Sequence, residues 1–189
     1  VIARANHRVS YPAQFQLVAA MNPCKCGQFG TPGHSCKRGE RCATDYQGRL
    51  SGPLLDRIDV RIDVPAVTAS DLIAPADAEP SAAVAARVAQ ARDIQRRRYL
   101  DNAETPQSEQ LRQTNAAVSS TIIESHMDLD AGAQDLLKRA AEAMAFSARG
   151  YHRILKVART IADLEGVENV GRMHLAEAIS LRTSTIGHA

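Results

Sequence analysis

The sequence contains no tryptophan, and aromatic residues make up only 4% of its 189 positions. Any buried core must therefore be built mainly from Ala, Leu, Ile and Val side chains. Hydrophobic residues still reach 44% of the chain, so such a core is feasible and wholesale disorder is not expected. The length suits one domain of ordinary size or two small ones.

No apolar run approaches the roughly 20 residues that a membrane-spanning helix needs, so we expect no membrane partner. Residues 1–5 lack the basic-then-apolar pattern of an export signal, and the chain does not begin with methionine. We therefore expect a piece of a longer, cytoplasmic protein whose four cysteines stay reduced. The net charge of +2 is too small to indicate a nucleic-acid-binding protein by itself.

Strand-like patterns dominate residues 1–66. Residues 1–12 predict a β-hairpin, with two short apolar runs around a polar turn at residues 6–8. This hairpin is either an ordinary surface feature or a tip that offers His7 and Arg8 to a phosphate backbone.

Two further strands are predicted in the same region. The apolar run Phe15–Met21 is typical of a strand covered on both faces in a parallel sheet, and it stops before Pro23. The run Ile58–Val64 alternates apolar and charged residues, which predicts a half-exposed strand near a sheet edge. Between them, the segment of residues 45–58 is predicted to contain a helix that has Gly52-Pro53 near its start.

A cysteine-rich loop, residues 24–42, interrupts the predicted sheet. Four thiolates can close a tetrahedral zinc site and so fix a loop that has no core of its own. Alternatives remain: His34 replaces one thiolate, or the thiols are free or partly oxidised. The candidate metal ligands are Cys24, Cys26, Cys36 and Cys42.

The composition shifts to Pro, Ala and Asp at residues 67–80, which we interpret as a linker before a helical domain, residues 81–189. Predicted helices run from Ser81 to about 100, from about 130 to 144, from Ser147 to a stop at Gly166, and from about 172 to 182. Short connections predict that they pack as a bundle.

Basic residues line the polar faces of two predicted helices. This pattern is usual for a solvated face, although an acidic partner or nucleic acid would also fit it. The first face carries Arg87, Arg92, Arg96, Arg97 and Arg98, and the other carries Arg149, Arg153, Lys156 and Arg159.

Three motifs occur in one order: Ala-Ala-Met-Asn-Pro ending at Pro23, Leu-Ser-Gly-Pro-Leu-Leu-Asp-Arg-Ile-Asp at residues 50–59, and Ser-Ala-Arg at residues 147–149. Together they resemble the AAA+ ATPases of the magnesium-chelatase-like group over nearly the whole chain. The resemblance implies an α/β fragment of an AAA+ core, with the hairpin and parallel-sheet strands, followed by an all-α lid bundle. It also implies a hexameric homo-oligomeric ring that couples ATP hydrolysis, with Mg, to DNA remodelling such as branch migration or unwinding in natural transformation.

The resemblance implies a role for each matched residue. Asn22 matches sensor 1, which orients the attacking water with an uncharged amide. Arg57 matches the arginine finger that acts on the neighbouring subunit's nucleotide. Arg149 matches sensor 2, which contacts nucleotide phosphates from the lid, and the hairpin with His7 and Arg8 matches one that touches DNA in related helicases.

Plainer interpretations exist for each residue. Asn22 could cap a strand end, Arg57 could pair with Asp56 or Asp59, and Arg149 could be one more solvated helix charge. Their occurrence together, in the family's order, favours the functional interpretation.

The sequence also departs from a complete ATPase. It contains no G-x-x-x-x-G-K-[S/T] motif and no acidic strand end ahead of Asn22, so we expect those parts to lie upstream and this chain alone to be inactive. Two other functions stay open, a metal-insertion motor of the magnesium-chelatase type and a non-enzymatic zinc-bound interaction module.

Overall fold

A computed structural model describes residues 1–11, 15–30, 36–65, 67, 69–73, 78–100, 114–144 and 146–183. The chain forms two compact units, residues 1–47 and residues 48–188. The described residues are mostly helical, with one small two-stranded sheet. His34, the alternative metal ligand, lies outside the described residues.

The first unit begins with the predicted hairpin, which is confirmed. Strand β1 (Ile2–Arg4) pairs antiparallel with β2 (His7–Val9), and Arg4 lies opposite His7. The turn is tighter than predicted because Ala5 and Asn6 alone connect the strands. Ala5 has φ 43°, and a positive φ in a two-residue turn matches the twist of the strands it joins.

The predicted strand Phe15–Met21 is wrong for the described part of the chain. These residues are irregular and exposed; Phe15 keeps 76% of its surface accessible and Val18 keeps 85%. A strand is stabilised by hydrogen bonds to neighbouring strands, and the only ladder among the described residues joins β1 to β2. Residues 24–42 were predicted as a loop, but helix α1 (Glu40–Gln47) begins within them.

The second unit contains seven helices among its described residues. They are α2 (Gly52–Leu55), α3 (Ala69–Ile73), α4 (Ser81–Leu100), α5 (Ser120–Ser125), α6 (Ala131–Met144), α7 (Ala148–Glu165) and α8 (Arg172–Thr183). The four long predicted helices are therefore confirmed as α4, α6, α7 and α8. The predicted strand Ile58–Val64 is irregular chain, again without a ladder partner among the described residues.

Helix α7 is the centre of this bundle, and it packs against α4, α5 and α8. Ser147 caps its start by accepting a hydrogen bond from the Gly150 N–H at 3.0 Å, and Gly166 is its C-cap. The predicted apolar face is buried, and its members are Ile154, Leu155, Ala158, Ile161 and Ala162. Helices α6 and α8 add Leu137, Leu175 and Ala178 to the same core.

A buried ionic network crosses the bundle and corrects two sequence-based assignments. Arg98 and Arg159 were placed on solvated faces, but both pair with Asp163, whose side chain is fully buried. Asn115 donates to the same carboxylate at 2.8 Å. Helical periodicity can place an arginine on a polar face. It cannot show that the arginine pairs with a buried carboxylate inside the bundle.

Candidate functional site

The four cysteines of the first unit converge. Their Sγ atoms all lie within 4.8 Å of one another, with Cys24 3.2 Å from Cys26 and Cys26 3.3 Å from Cys36. These distances are far longer than a disulfide bond, and the cysteines are free. A tetrahedral zinc site with Zn–S bonds of about 2.3 Å would separate the sulfurs by about 3.8 Å. The donor set and its size therefore fit a zinc ion.

Two tight turns bring the cysteines together. The Gly27 N–H donates to the Cys24 carbonyl at 3.0 Å, and the Gly39 N–H donates to the Cys36 carbonyl at 2.8 Å. Both glycines have positive φ, 76° and 55°, which lets the chain reverse directly after each cysteine without a Cβ clash. Cys42 then approaches from the first turn of α1, within hydrogen-bond distance of Gly39. Two loop turns and one helix thus build the cluster.

The pKa values of two neighbouring thiols in the cluster shift in opposite directions. Burial acts to raise the pKa of Cys24, but hydrogen bonds with the Cys26 side chain and with the backbone of Phe29 outweigh burial and lower this pKa to about 6. A backbone hydrogen bond at Gln28 acts to lower the pKa of Cys26, yet its contacts with Cys24 and Cys36 raise it to about 12. A cation binds the thiolate form of cysteine, so the lowered pKa of Cys24 favours cation binding at this cluster.

Asn22 lies beside this cluster. It is exposed, and its amide nitrogen lies 4.0 Å from the position that a Cβ on Gly27 would occupy. The next residue, Pro23, accepts a hydrogen bond from Gln47 Nε2 at 2.9 Å, which ties this segment to α1. The cysteine cluster and the Gln47 hydrogen bond therefore anchor the chain on the C-terminal side of Asn22, whereas residues 15–21 on its N-terminal side form no strand.

The basic residues of the hairpin are exposed, but they divide between its two faces. Arg4 and His7 are cross-strand partners and share one face. Arg8 follows His7 in the same strand, so its side chain is on the other face. The predicted pair His7 and Arg8 therefore does not form one surface, whereas Arg4 and His7 do.

Arg57 lies in the turn that follows α2. The helix starts at a capped Ser51, whose Oγ accepts from the Leu54 N–H at 3.3 Å, with Pro53 in the first turn as predicted. The Arg57 N–H closes the turn on the Leu54 carbonyl at 2.9 Å. Its guanidinium is exposed and donates to the Pro53 carbonyl.

The plainer interpretation, that Arg57 pairs with a neighbouring aspartate, is wrong. Asp56 binds Arg182 of α8, and Asp59 binds Arg153 of α7. Both carboxylates beside Arg57 are thus engaged by the bundle. Among the described residues, Arg57 has no carboxylate partner, and it keeps its charge available to another ligand.

Arg149 is also exposed, in the first turn of α7. The structure gives its side chain no hydrogen bond or ion pair among the described residues. The helix cap Ser147 donates from its hydroxyl to Asp56 Oδ2 at 3.1 Å, next to Arg57. The structure therefore joins the turn that carries Arg57 to the turn that carries Arg149, within one unit.

Comparisons with known proteins identify the family. The family model described as "Magnesium chelatase, subunit ChlI C-terminal" matches residues 78–182, which is more than half of the chain. The model described as "Magnesium chelatase, subunit ChlI" matches residues 1–72. The chain belongs to the magnesium-chelatase family. This membership supports the AAA+ type that the motifs indicate.

Individual relatives extend the likeness of this magnesium-chelatase family member over nearly its whole length. Competence protein ComM of Haemophilus influenzae is 39% identical over 183 residues, which is 96% of this chain and 33% of that protein. The YifB proteins of Salmonella typhimurium and Escherichia coli are each 34% identical, with the same two coverages. The chain spans about a third of the length of these curated relatives. No helix in the described part of this family member is long and apolar enough to cross a membrane.

Sequence reasoning missed the residues that hold the Arg57 turn. Arg182 was noted only as the end of the last helix, and Arg153 only as a solvated charge. Their partners lie 126 and 94 positions away in the sequence. The available signal was the pair of aspartates in Asp-Arg-Ile-Asp, because two carboxylates beside a single arginine leave at least one of them open to a cation from elsewhere in the chain.

Proposed function

We propose that this chain is the sensing, finger and lid part of a ring-forming AAA+ ATPase that couples ATP hydrolysis to DNA remodelling. Family membership and the likeness to a competence protein support this class of function. One observation carries the proposal. Arg57 is exposed and free of any carboxylate among the described residues, while both of its acidic neighbours are engaged by other arginines.

The proposed role of Arg57 follows from that arrangement. A guanidinium that already holds a carboxylate is a poor ligand for a phosphate, whereas a free one offers a planar fork of donors. In a ring, this fork reaches the nucleotide of the neighbouring subunit and stabilises the charge that develops on the transferred phosphoryl group. Arg57 would thereby let one subunit complete the site of the next.

Arg149 and Asn22 have complementary proposed roles. Arg149 projects from the first turn of α7, where helix N–H groups and the guanidinium both favour an anion such as a nucleotide phosphate. Asn22 carries an exposed amide that can hold a water by donating and accepting hydrogen bonds. ATP with Mg would supply the transferable phosphoryl group.

The first unit supplies a proposed DNA contact and a proposed structural metal. Arg4 and His7, on one hairpin face, fit a phosphate backbone better than His7 and Arg8, although all three are exposed. A zinc ion held by the four cysteines would fix the loop between Asn22 and α1. Its role is structural, because four protein ligands leave no open position for a substrate.

Arg57→Ala in the full-length protein tests the proposal. We expect ATP turnover to fall about 1,000-fold or more, because an arginine finger contributes on this scale. Arg57→Lys keeps the charge without the fork and should remain well below wild type. Arg139→Ala is the matched control, since Arg139 is an exposed arginine paired with Asp135 on α6. Unchanged turnover in Arg57→Ala would remove the finger, whereas no measurable turnover in the wild-type full-length protein would favour a non-enzymatic zinc-bound module.

Metal insertion is the second candidate, because the matching family models are named for a magnesium chelatase subunit. The substrate that stimulates ATP turnover separates the two. Branched DNA should stimulate the full-length protein if it remodels DNA, and Arg4→Ala should weaken that response. Stimulation by a porphyrin and not by DNA would instead establish the metal-insertion motor.

A further inference from the structure

Arg182, near the end of α8, is almost entirely buried, with 6% of its surface exposed. Its guanidinium donates to the main-chain carbonyls of Asp56 at 3.1 Å and Ile58 at 3.2 Å. It also forms an ion pair with the Asp56 carboxylate. One side chain thus holds three acceptors on the two residues that flank Arg57.

Further contacts hold the same segment, and one of them joins the Arg61 guanidinium to the Arg182 carbonyl. Ser147 donates to the second oxygen of Asp56, and Arg153 pairs with Asp59. The Arg61 N–H donates to the Leu181 carbonyl at 2.7 Å. Residues 56–61 are therefore bound to the start of α7 and the end of α8, while the Arg57 side chain itself is left exposed.

A glycine in α7 makes room for Arg182. A Cβ added to Gly150 would lie 3.2 Å from Arg182 Nη2, which is tighter than most Cβ contacts, and 3.5 Å from Nε, which is ordinary van der Waals contact. The first turn of α7 is thus shaped around this guanidinium. Arg182 lies between the turn that carries Arg57 and the turn that carries Arg149.

We propose that Arg182 is a positioning residue that aims Arg57 and fixes it relative to the helix turn that carries Arg149. This inference rests on the proposed function of Arg57. Main-chain carbonyls on both sides of Arg57 determine where its Cα lies, so a group that binds both determines the reach of the finger. A planar guanidinium with five donors serves three divergent acceptors, whereas an ammonium is a compact point charge.

The first experiment measures, in this chain, how far Arg182 orders the segment that carries Arg57. Hydrogen exchange in a peptide that spans residues 54–61 should be about tenfold or more faster in Arg182→Ala than in wild type, because the contacts that order this segment are lost. Peptides from α6 should exchange as before. Arg139→Ala should change neither region. An unchanged rate at residues 54–61 would show that Arg182 does not hold the turn.

The second experiment measures whether Arg182 acts through Arg57, using ATP turnover of the full-length protein. Arg182→Ala should lower kcat about 10- to 100-fold, because small misplacements of a reacting group cost on this scale. The KM for ATP should change less than twofold, since a finger stabilises the charge that develops in the transition state and contributes little to the binding of ground-state ATP. Gly150→Ala should have a smaller effect of the same kind, because it displaces the guanidinium without removing it.

A double-mutant cycle separates positioning from general destabilisation. In an Arg57→Ala background, adding Arg182→Ala should change kcat less than twofold, because the group that it positions is already gone. Multiplicative losses would overturn the positioning role even if Arg57 is essential. Full turnover in Arg57→Ala alone would instead overturn the proposed function, whatever the exchange rates show.

Discussion

The two units of this chain are stabilised in different ways. In residues 1–47, the buried cluster consists of Cys24, Cys42 and Ala43, with Phe29 and Cys36 partly buried against it. In residues 48–188, the main cluster is built from aliphatic side chains of α6, α7 and α8. The first cluster is composed largely of potential metal ligands. The second is composed of apolar side chains, which are stabilised by burial alone.

The two clusters indicate that the units differ in the source of their folding free energy. Burial of Leu, Ile and Val side chains supplies about 1.5–3 kcal/mol each, so the helical unit can be stable without a ligand. A hairpin, two cysteine-containing turns and the short helix α1 bury too little apolar surface for that. We therefore expect a metal ion to be necessary for the first unit and irrelevant to the second.

Loss of the metal is expected to have the largest effect. Cys42→Ser, or chelation of the wild-type chain, should abolish the ordered NMR signals of residues 1–47 and leave those of the bundle in place. The reason is that structural zinc contributes on the order of 10 kcal/mol to such small sites. Thr44→Ala, an exposed change on the same helix, is the control. Ordered signals with less than about 0.2 metal per chain would contradict a metal-dependent unit.

Removal of the buried carboxylate in the second unit should cost the bundle about 3–5 kcal/mol. Asp163→Asn leaves Arg98 and Arg159 buried without a counter-charge, and urea unfolding followed by far-UV circular dichroism measures the change. Asp135→Asn is the matched control. It breaks an ion pair that is about 60% exposed on both sides, so it should cost less than about 1 kcal/mol. Equal effects of the two variants would show that the network does not stabilise the bundle.

A cavity in the aliphatic core should cost a similar or smaller amount. Leu155 is 1% exposed, so Leu155→Ala should lower the free energy of unfolding of the bundle by about 2–5 kcal/mol. Met173→Ala, at a position that is 77% exposed, should change it by less than about 0.5 kcal/mol. The metal content of the chain should stay the same in both. A loss of metal in Leu155→Ala would break the distinction between the two units.

The smallest expected effect is at a turn of the metal cluster. Gly27→Ala forces a side chain into positive φ and should lower metal affinity by about five- to tenfold, equivalent to about 1 kcal/mol. Gly27→Asn should lose less, because asparagine tolerates this conformation better. Competition with a chromogenic chelator measures both. Equal affinities in the three chains would show that the turn does not shape the site.

The helices were predictable from local sequence, and the tertiary contacts were not. Ser147 and Gly166 mark the ends of α7 by their own chemistry, so the bounds of that helix could be read directly. The apolar run Phe15–Met21 was predicted to be a strand, but its sequence does not specify which strands pair with it. The prediction was wrong because none of the described residues forms a ladder with this run.

The candidate site divides in the same way. A shared cysteine cluster was predicted although the Cys-x-Cys spacing is tighter than usual for zinc, because a long loop with no core of its own needs a clamp and four cysteines can provide it. The pairing of Asp56 with Arg182 could not be predicted, because the local sequence around each residue carries no information about a partner 126 positions away. Arg57 was found by its motif, whereas its freedom from both neighbouring aspartates required the structure.

We propose that Arg57 acts on a neighbouring subunit while Arg149 acts within its own, and an experiment in which subunits are mixed tests both roles at once. Full-length Arg57→Ala and Arg149→Ala proteins are mixed in equal amounts and allowed to exchange before ATP turnover is measured. Random assortment in a ring makes roughly one quarter of the sites intact, so the mixture should recover roughly a quarter of wild-type turnover. A mixture no more active than the mean of the two variants would contradict the account.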